Sequence, residues 1–190
     1  MTAQQPQREF PHKKYHTILA DPPWKYNSPW GCGSKKSAFA KRYNENPYPI
    51  PYKQMTLNEI KNLPVGSIAE NNCELYLWVT QRYLPFVFGV INGWGFHYCQ
   101  TLTWCKQPMG TGQGGVFTPT TEFIILARKG KMPQVKRFDT TWFNFKRTGK
   151  HSKKPAMFHS IINAVTIAPR IELFARDCLD PNWEYWGDEI

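Results

Sequence analysis

The chain has 190 residues, of which 41% are hydrophobic, and a formal net charge of +10 at pH 7. This length predicts one domain with its own core, and no apolar run approaches the roughly 20 residues of a membrane-spanning helix. The five cysteines are odd in number and form no Cys-x-x-Cys pair, which argues against a disulfide framework or a structural zinc site. A reducing cytoplasm follows as the expected location. The five histidines lack ligand spacing, so we expect no metal.

Candidate strands and helices alternate along the chain after a polar segment, residues 1–14, which predicts a flexible tail. The runs of β-type composition are residues 15–20, 73–79, 98–105, 122–128, 170–175 and 183–186. The segments of helical character are residues 56–63, 81–92 and 155–165. Thr56 and Glu59 have the spacing of a capping box and mark the start of the first helix. The alternation predicts an α/β fold, with a single domain over residues 15–190.

The first predicted strand ends on Asp21-Pro22-Pro23-Trp24. The exocyclic amine of a base is a poor nucleophile, so a protein that modifies it has to hold its N–H groups. The carboxylate of Asp21 and the main-chain carbonyl of Pro22 can both accept from an amine. Two prolines restrict the backbone and remove donors, and Trp24 adds a flat face for stacking. The motif predicts methylation of such an amine, with a plain proline-rich turn as the alternative.

Basic residues are concentrated in two segments. Ten lie between Arg128 and Lys154, where Asp139 is the one acidic residue. The second group follows the Asp-Pro-Pro-Trp motif and comprises Lys35, Lys36, Lys41 and Arg42. Such clusters favour a phosphate backbone as partner over a merely solvated basic face. Three aromatic residues inside the longer segment are candidates to stack or wedge against bases, namely Trp142, Phe143 and Phe145.

Three segments show no regular pattern and are expected to be loops, residues 25–55, 107–120 and 134–153. Long loops in a compact domain are often recognition elements or lids. Residues 110–115 satisfy the pattern G-x-G-x-x-G, but β-type sequence follows them where a dinucleotide fingerprint needs a helix. We therefore interpret this stretch as a mobile glycine loop and expect no NAD.

Beyond the Asp-Pro-Pro-Trp motif, most of residues 15–190 resembles the MT-A70 family of adenine methyltransferases. Six elements occur in the family's order. They are Asp21 to Trp24, Leu75 to Thr80 with its Trp-Val-Thr ending, Leu102 to Lys106 with its Trp-x-Lys ending, Glu122, Ser152 to Pro155, and Arg170 to Arg176 followed by Trp183 and Gly187.

The resemblance implies a doubly wound, Rossmann-like methyltransferase sheet with a permuted motif order, in which the catalytic segment precedes the cofactor-binding one. It implies S-adenosyl-L-methionine as the cofactor. Asp21 and Pro22 are implied to hold the adenine amine, with Pro23 and Trp24 completing the catalytic set. Lys154 is implied to pair with the cofactor carboxylate. The further cofactor contacts implied are Asp21, Ser152, Arg176, Asp188 and Glu189.

The residues expected to contact the target nucleotide are Trp24, Trp78, Trp104, Lys106 and Glu122, and the two basic segments add Lys35, Lys36, Arg147 and Lys150 as expected contacts to its strand. For Trp78 and Trp104 the alternative is a place in the core, and for Glu122 it is a charge on an edge strand. For Arg176 the alternative is a surface pair with Asp177 or Glu172.

The implied reaction is direct methyl transfer to the exocyclic amine of adenine in DNA, without a covalent enzyme intermediate. A duplex substrate requires the base to leave the stack. We expect a monomer or homodimer of bacterial or phage type, with no membrane partner. The alternatives are an RNA adenosine methyltransferase, a non-catalytic nucleic-acid-binding subunit on the same fold, and a methyltransferase acting on protein amides.

Overall fold

Seven strands form one sheet in the computed structural model, which describes residues 9–25, 53–107, 117, 119–146, 153–187 and 190. The strands are β1 Tyr15–Ala20, β2 Ala69–Val79, β3 His97–Gln107, β4 Thr121–Lys129, β5 Trp142–Lys146, β6 Arg170–Leu173 and β7 Glu184–Trp186. Their spatial order is β5-β3-β4-β2-β1-β6-β7. Neighbouring strands are parallel except where β4 pairs with β2 and β3. The carboxyl ends of the other six described strands therefore meet at the edge where β4 begins.

The helices in the described residues are α1 Leu57–Lys61, α2 Val65–Ile68, α3 Leu84–Gly93 and α4 Met157–Val165. The predicted capping box opens α1. The N–H of Glu59 donates to Oγ1 of Thr56, and the N–H of Thr56 donates to the Glu59 carboxylate at 2.7 Å. None of these helices combines the length and the apolar character needed to cross a bilayer.

Alternate residues of β2 face two separate layers of core. On one side Leu75 and Leu77 pack with Ile60 of α1 and with Val87 and Ile91 of α3, all of them fully buried. This layer follows from the period of two along a strand, which sends successive side chains to opposite faces.

The opposite face of the sheet is covered by α4. Tyr76 and Trp78 of β2 pack there with Trp104 of β3 and with Phe158 and Ile162 of α4. Helices thus lie on both faces of a mostly parallel sheet, which confirms the predicted doubly wound α/β fold.

Several predicted elements differ from the structure; for example, β2 begins at Ala69, four residues earlier than expected. The predicted loop at residues 134–153 contains β5, which pairs with β3 through a contact that is distant along the chain. The second predicted helix begins at Leu84, three residues later than expected, after a turn, and Pro85 lies in its first turn as predicted. Propensity along a single chain does not report pairing between distant strands, which explains the missed β5.

Two residues of the predicted tail, Glu9 and Phe10, contact the last strand of the sheet. The ring of Phe10 meets Trp186 edge to face, with 5.1 Å between ring centroids. The indole N–H of Trp186 donates to the carbonyl of Glu9 at 3.1 Å. The packed part of the chain therefore starts before β1, because aromatic contacts to β7 hold this segment.

Candidate active site at the carboxyl edge of the sheet

Four charged side chains from distant segments converge at the edge where the parallel strands end. Asp21 directly follows β1, and Lys106 is the penultimate residue of β3. Glu122 is the second residue of β4, and the reversed direction of β4 brings its start to this edge. Lys154 precedes α4. The carboxyl edge of such a sheet is where α/β proteins place their ligand sites.

These four side chains, which we call the charged row, alternate in sign. Lys154 Nζ lies 2.7 Å from Asp21 Oδ2 and 3.5 Å from Glu122 Oε2. Lys106 Nζ lies 2.5 Å from Glu122 Oε1. All four side chains are only 16% to 19% exposed. Charges this far from solvent are costly unless they are paired, and the cation of Lys154 is shared by two carboxylates.

The ionisation of Glu122 is set by its two lysines. Burial alone would raise the pKa of the Glu122 carboxyl, but the charges and hydrogen bonds of Lys154 and Lys106 together lower that pKa below its ordinary value. Glu122 is therefore a carboxylate at neutral pH. A buried acceptor of this kind can receive an N–H from a bound polar ligand.

Two tryptophan rings lie beneath the charged row. Lys154 Nζ is 5.1 Å from the centroid of the Trp78 ring, and Lys106 Nζ is 5.5 Å from that of Trp104. Both residues are at most 3% exposed. Both rings lie in the core, which is the alternative to a direct contact with the target nucleotide. Their faces contact the two ammonium groups through cation–π interaction.

The side chain of Trp24 is buried, which differs from its expected use as a stacking surface. Trp24 is 5% exposed, and its ring stacks on Tyr83 with 5.0 Å between centroids. Its indole N–H donates to the carbonyl of Trp78 at 3.0 Å. In this arrangement Trp24 fastens the Asp-Pro-Pro-Trp corner to the end of β2, and no face of its ring is open to a base.

Tyr83 is a site residue that sequence reasoning missed. Besides stacking on Trp24, its hydroxyl donates to the carbonyl of Lys25. Burial raises the pKa of the Tyr83 hydroxyl, so it remains a donor at neutral pH. Tyr83 stands 59 positions after Trp24 in the sequence, and no local signal connects them. Only the pairing of β1 with β2 brings the two rings together.

The backbone of the corner is held by hydrogen bonds on both sides. The N–H of Trp24 donates to the carbonyl of Pro22 at 2.8 Å, and the N–H of Met55 donates to the carbonyl of Pro23 at 2.8 Å. A short parallel bridge also joins Trp24 to Met55. A carbonyl oxygen has two lone pairs, so Pro22 retains the capacity to accept a second N–H.

The predicted cofactor side of the site is partly described. Arg176 is half-buried just after β6. Gly187 approaches Ala175 so closely that a Cβ on Gly187 would lie 2.3 Å from the Ala175 carbonyl oxygen, and this contact joins the ends of β6 and β7. The acidic residues weighed as partners of Arg176 both have other contacts, since Asp177 pairs with Lys153 and Glu172 lies beside His159. Three predicted cofactor residues, Ser152, Asp188 and Glu189, lie outside the described residues.

Among the described residues, some members of the predicted nucleic-acid-binding surface make internal contacts instead. Arg128 donates to the buried carboxylate of Glu74 at 2.6 Å and 2.8 Å, so its charge serves an internal pair. Phe143 is 7% exposed and Phe145 is half-buried, and both rings pack against Phe158, so both contribute to the core. Four residues predicted to contact the nucleic-acid strand lie outside the described residues, namely Lys35, Lys36, Arg147 and Lys150.

Known proteins of one family are similar to this chain over most of its length. A family model described as MT-A70 matches residues 15–189. The type II methyltransferase M.MunI of Mycoplasma sp is 30% identical over 96% of this chain and 80% of its own length. The mouse N(6)-adenine-specific methyltransferase METTL4 is 26% identical over 94% of this chain, and the human N(6)-adenosine-methyltransferase catalytic subunit METTL3 is 23% identical over 93%. The chain spans 38% and 28% of those two longer proteins. The chain belongs to the MT-A70 family.

Proposed function

We propose that this chain transfers a methyl group from S-adenosyl-L-methionine to the exocyclic amine of adenine in DNA. The observation that carries the proposal is the charged row beside the Asp-Pro-Pro-Trp corner. It combines an acidic residue for the amine, a cation shared by two carboxylates, and a position at the carboxyl edge of a methyltransferase-family sheet.

The donor set at Asp21 and Lys154 fits the amino-acid end of the cofactor. That end carries an ammonium and a carboxylate, and the chain offers a carboxylate and an ammonium in direct contact at 2.7 Å. Lys154 would hold the carboxylate and Asp21 the ammonium, both through charge-assisted hydrogen bonds. Arg176, half-buried after β6, is proposed to contact the ribose. When bound, the cofactor supplies an electrophilic methyl group on a sulfonium centre.

The chain's own contribution is to position the amine. The Asp21 carboxylate and the Pro22 carbonyl accept its two N–H groups and stabilise the positive charge that develops on nitrogen. Because Trp24, Tyr83 and Met55 hold the corner in place, these acceptors are preorganised before the base arrives. Accurate placement of two bound reactants can remove about 7–11 kcal/mol of the barrier. Glu122 and Lys106, next in the charged row, are proposed to contact the polar edge of the adenine ring.

DNA is the proposed substrate because similarity to the type II methyltransferase extends over 80% of that protein. The mouse relative is named as adenine-specific. RNA is the second candidate, favoured by similarity to a relative named as an adenosine methyltransferase over 93% of this chain.

Purified protein incubated with tritiated S-adenosylmethionine and pools of DNA or RNA tests the proposal. We expect label in DNA, and mass spectrometry of the digested nucleosides should find methylation at the exocyclic nitrogen of adenine. Asp21→Ala is the matched inactive variant, expected to abolish labelling and to leave nucleic-acid affinity largely unchanged. Label in RNA alone would select the second candidate, and a normal rate for Asp21→Ala would overturn the assigned role.

A non-catalytic subunit on the same fold makes a different prediction. Such a subunit has no need for the acidic corner or for Lys154, and this chain carries both in direct contact. Calorimetric titration with S-adenosylmethionine separates the two possibilities. Saturable binding that Lys154→Met weakens is expected for the enzyme, and an absence of binding to the wild type would favour the subunit.

A further inference from the structure

The turn that follows β2 lies between the two carboxylates of the charged row. In the sheet β2 has β1 on one side and β4 on the other. Asp21 directly follows β1, and Glu122 is the second residue of β4. The turn comprises residues 80–83, and the N–H of Tyr83 closes it by donating to the carbonyl of Thr80 at 3.0 Å. We call residues 80–83 the brace turn.

Backbone pairing with β2 stops one residue short of each carboxylate. The last residue of β1 that pairs with β2 is Ala20, which precedes Asp21. The first residue of β4 that pairs with β2 is Phe123, which follows Glu122. The spacing of the two carboxylates across β2 therefore depends on contacts beyond these two strand ladders.

Tyr83 of the brace turn holds the corner that follows β1. Its ring stacks on Trp24 with 5.0 Å between centroids, and its hydroxyl donates to the carbonyl of Lys25. The N–H of Trp24 donates in turn to the carbonyl of Pro22 at 2.8 Å. Two prolines also restrict the backbone between Asp21 and Trp24. A shift of Tyr83 is therefore transmitted to the acceptors of the corner.

Gln81 of the brace turn holds the start of β4. Its side-chain amide donates to Oγ1 of Thr121 at 2.7 Å. Thr121 directly precedes Glu122 and lies opposite Cys105 of β3. The start of β4 thus has backbone pairing on its β3 side, and Gln81 adds a contact on its β2 side. A hydrogen bond between neutral groups contributes little net stability, so we expect this bond to matter more for alignment than for folding.

Both contacts support the charged row from the opposite face of the sheet. Trp24 and Tyr83 pack in the layer that contains α3. Trp104, which lies opposite Glu122, packs in the layer beneath α4. Successive residues of a strand point to opposite faces, so Thr121 faces the α3 side. The brace turn therefore holds the two carboxylates from behind the face on which their side chains lie.

We propose that Gln81 and Tyr83 are positioning residues that set the spacing between the carboxylates of Asp21 and Glu122. The spacing matters because Asp21 is proposed to hold the adenine amine and Glu122 the polar edge of the same ring. A displacement of about 1 Å in a reacting group can lower a rate about 10²-fold. The proposal rests on the proposed function, which gives both carboxylates their roles.

Variants of Tyr83 test the corner side of the brace turn. Tyr83→Leu removes the stack and the hydroxyl, and it should lower the single-turnover rate of methyl transfer about 10²-fold at saturating donor and nucleic acid. Tyr83→Phe keeps the ring and should lower this rate about fivefold, the equivalent of one neutral hydrogen bond. Tyr98→Leu, at an exposed tyrosine near the start of β3, is the control and should react as the wild type does.

A double-mutant cycle tests the β4 side of the brace turn. Gln81→Leu and Thr121→Val each remove the same bond, so each should lower kcat/KM for nucleic acid about fivefold. The double variant should lose no more than either single variant. Thr121→Ser keeps the acceptor and should restore most of the activity. Gln100→Leu, at an exposed glutamine of β3, is the control. The KM for the methyl donor should stay unchanged, because Glu122 is not a proposed cofactor contact.

Urea unfolding of each variant separates positioning from stability. A purely structural role would lower the free energy of unfolding and leave the rate of the folded protein unchanged. Folded Tyr83→Leu and Thr121→Val that react at the wild-type rate would overturn the brace turn, while a wild type that methylates DNA would leave the proposed function intact. If Tyr83→Leu does not fold, the rate of Tyr83→Phe decides the corner side.

Two further results would contradict the proposal. Additive losses in the Gln81→Leu and Thr121→Val cycle would show that these residues act separately, which removes the β4 side of the brace turn. A wild type that methylates no nucleic acid would overturn the proposed function and the positioning roles with it.

Discussion

Two of the clusters of charged side chains in the described sheet differ in origin. One is the charged row, whose members come from four segments between Asp21 and Lys154 and meet at strand ends. The other joins Glu74 of β2 to Arg128, which lies directly opposite on β4. The hydroxyl of Tyr76 donates to the Glu74 carboxylate at 3.0 Å.

The two clusters also differ in how their partners are shared. Arg128 donates two hydrogen bonds to one carboxylate oxygen of Glu74, in a cross-strand contact fixed by the ladder. Burial and the neighbouring carboxylate raise the pKa of Tyr76, so its hydroxyl stays a donor. Lys154, in contrast, lies between two carboxylates at unequal distances. A cation with two acceptors can exchange one of them for an acceptor on a bound ligand. We therefore infer that the charged row is functional and that the Glu74 pair is structural.

Replacing Lys154 with Met should produce the largest effect. The variant loses the proposed partner of the cofactor carboxylate and leaves Asp21 and Glu122 without their shared cation, so two like charges then face each other. We expect a fall of about 10³-fold in kcat/KM, or roughly 4 kcal/mol, with weaker donor binding by calorimetry. Lys153→Met, at the neighbour that pairs with Asp177, is the control. Similar losses in both variants would contradict a special role for Lys154.

Replacing Arg128 with Met should reduce stability and spare activity. Glu74 is 2% exposed and would become a buried carboxylate without its cation. Loss of one partner from a buried pair costs about 3–5 kcal/mol, and we expect about 3 kcal/mol because the Arg128 side chain is 42% exposed. Urea unfolding measures the loss, with Lys129→Met as control. A large fall in kcat/KM under conditions where the variant is folded would show that the structural and functional clusters are not distinct.

Replacing Lys106 with Met should have an intermediate effect within the charged row. Glu122 keeps Lys154 as a cationic partner, so its carboxylate remains compensated in part. We expect about a tenfold fall in kcat/KM for nucleic acid, about 1.4 kcal/mol, with the KM for the donor unchanged. Lys106→Arg should recover part of the activity, because it restores the positive charge. An unchanged rate in Lys106→Met would remove this residue from the site.

The smallest expected effect is a pH dependence of stability due to Glu122. Its pKa in the folded protein is lowered, so its contribution is fully present above the ordinary glutamate value of about 4.3 and is lost as the pH falls through the folded value. Denaturant unfolding between pH 3 and 6 should therefore show a stability difference between wild type and Glu122→Gln that is constant near pH 6 and shrinks below about pH 4.5. A difference that stays constant down to pH 3 would contradict the assigned charge.

Local patterns in the sequence determined much of the fold and the identity of the candidate chemistry. Strand β1 begins and ends as predicted, and the capping box at Thr56 opens α1, because both depend on neighbouring residues. The Asp-Pro-Pro-Trp motif combines acceptors and restricted backbone within four residues, so its chemistry is readable without a partner. The alternation of elements predicted the α/β class, and the family resemblance implied the doubly wound sheet.

The tertiary structure alone decided which side chains meet. Because β4 is antiparallel to its neighbours, Glu122 lies at the edge of the sheet where β1 ends. Strand pairing also brings Tyr83 onto Trp24, so that the Trp24 ring is buried. The basic segment from Arg128 onward appears uniform in sequence, yet Arg128, Lys153 and Lys154 each pair with an acidic residue that is distant along the chain. Electrostatic pairing and burial depend on distance in space, and contacts between residues far apart along the chain leave no local pattern from which to predict them.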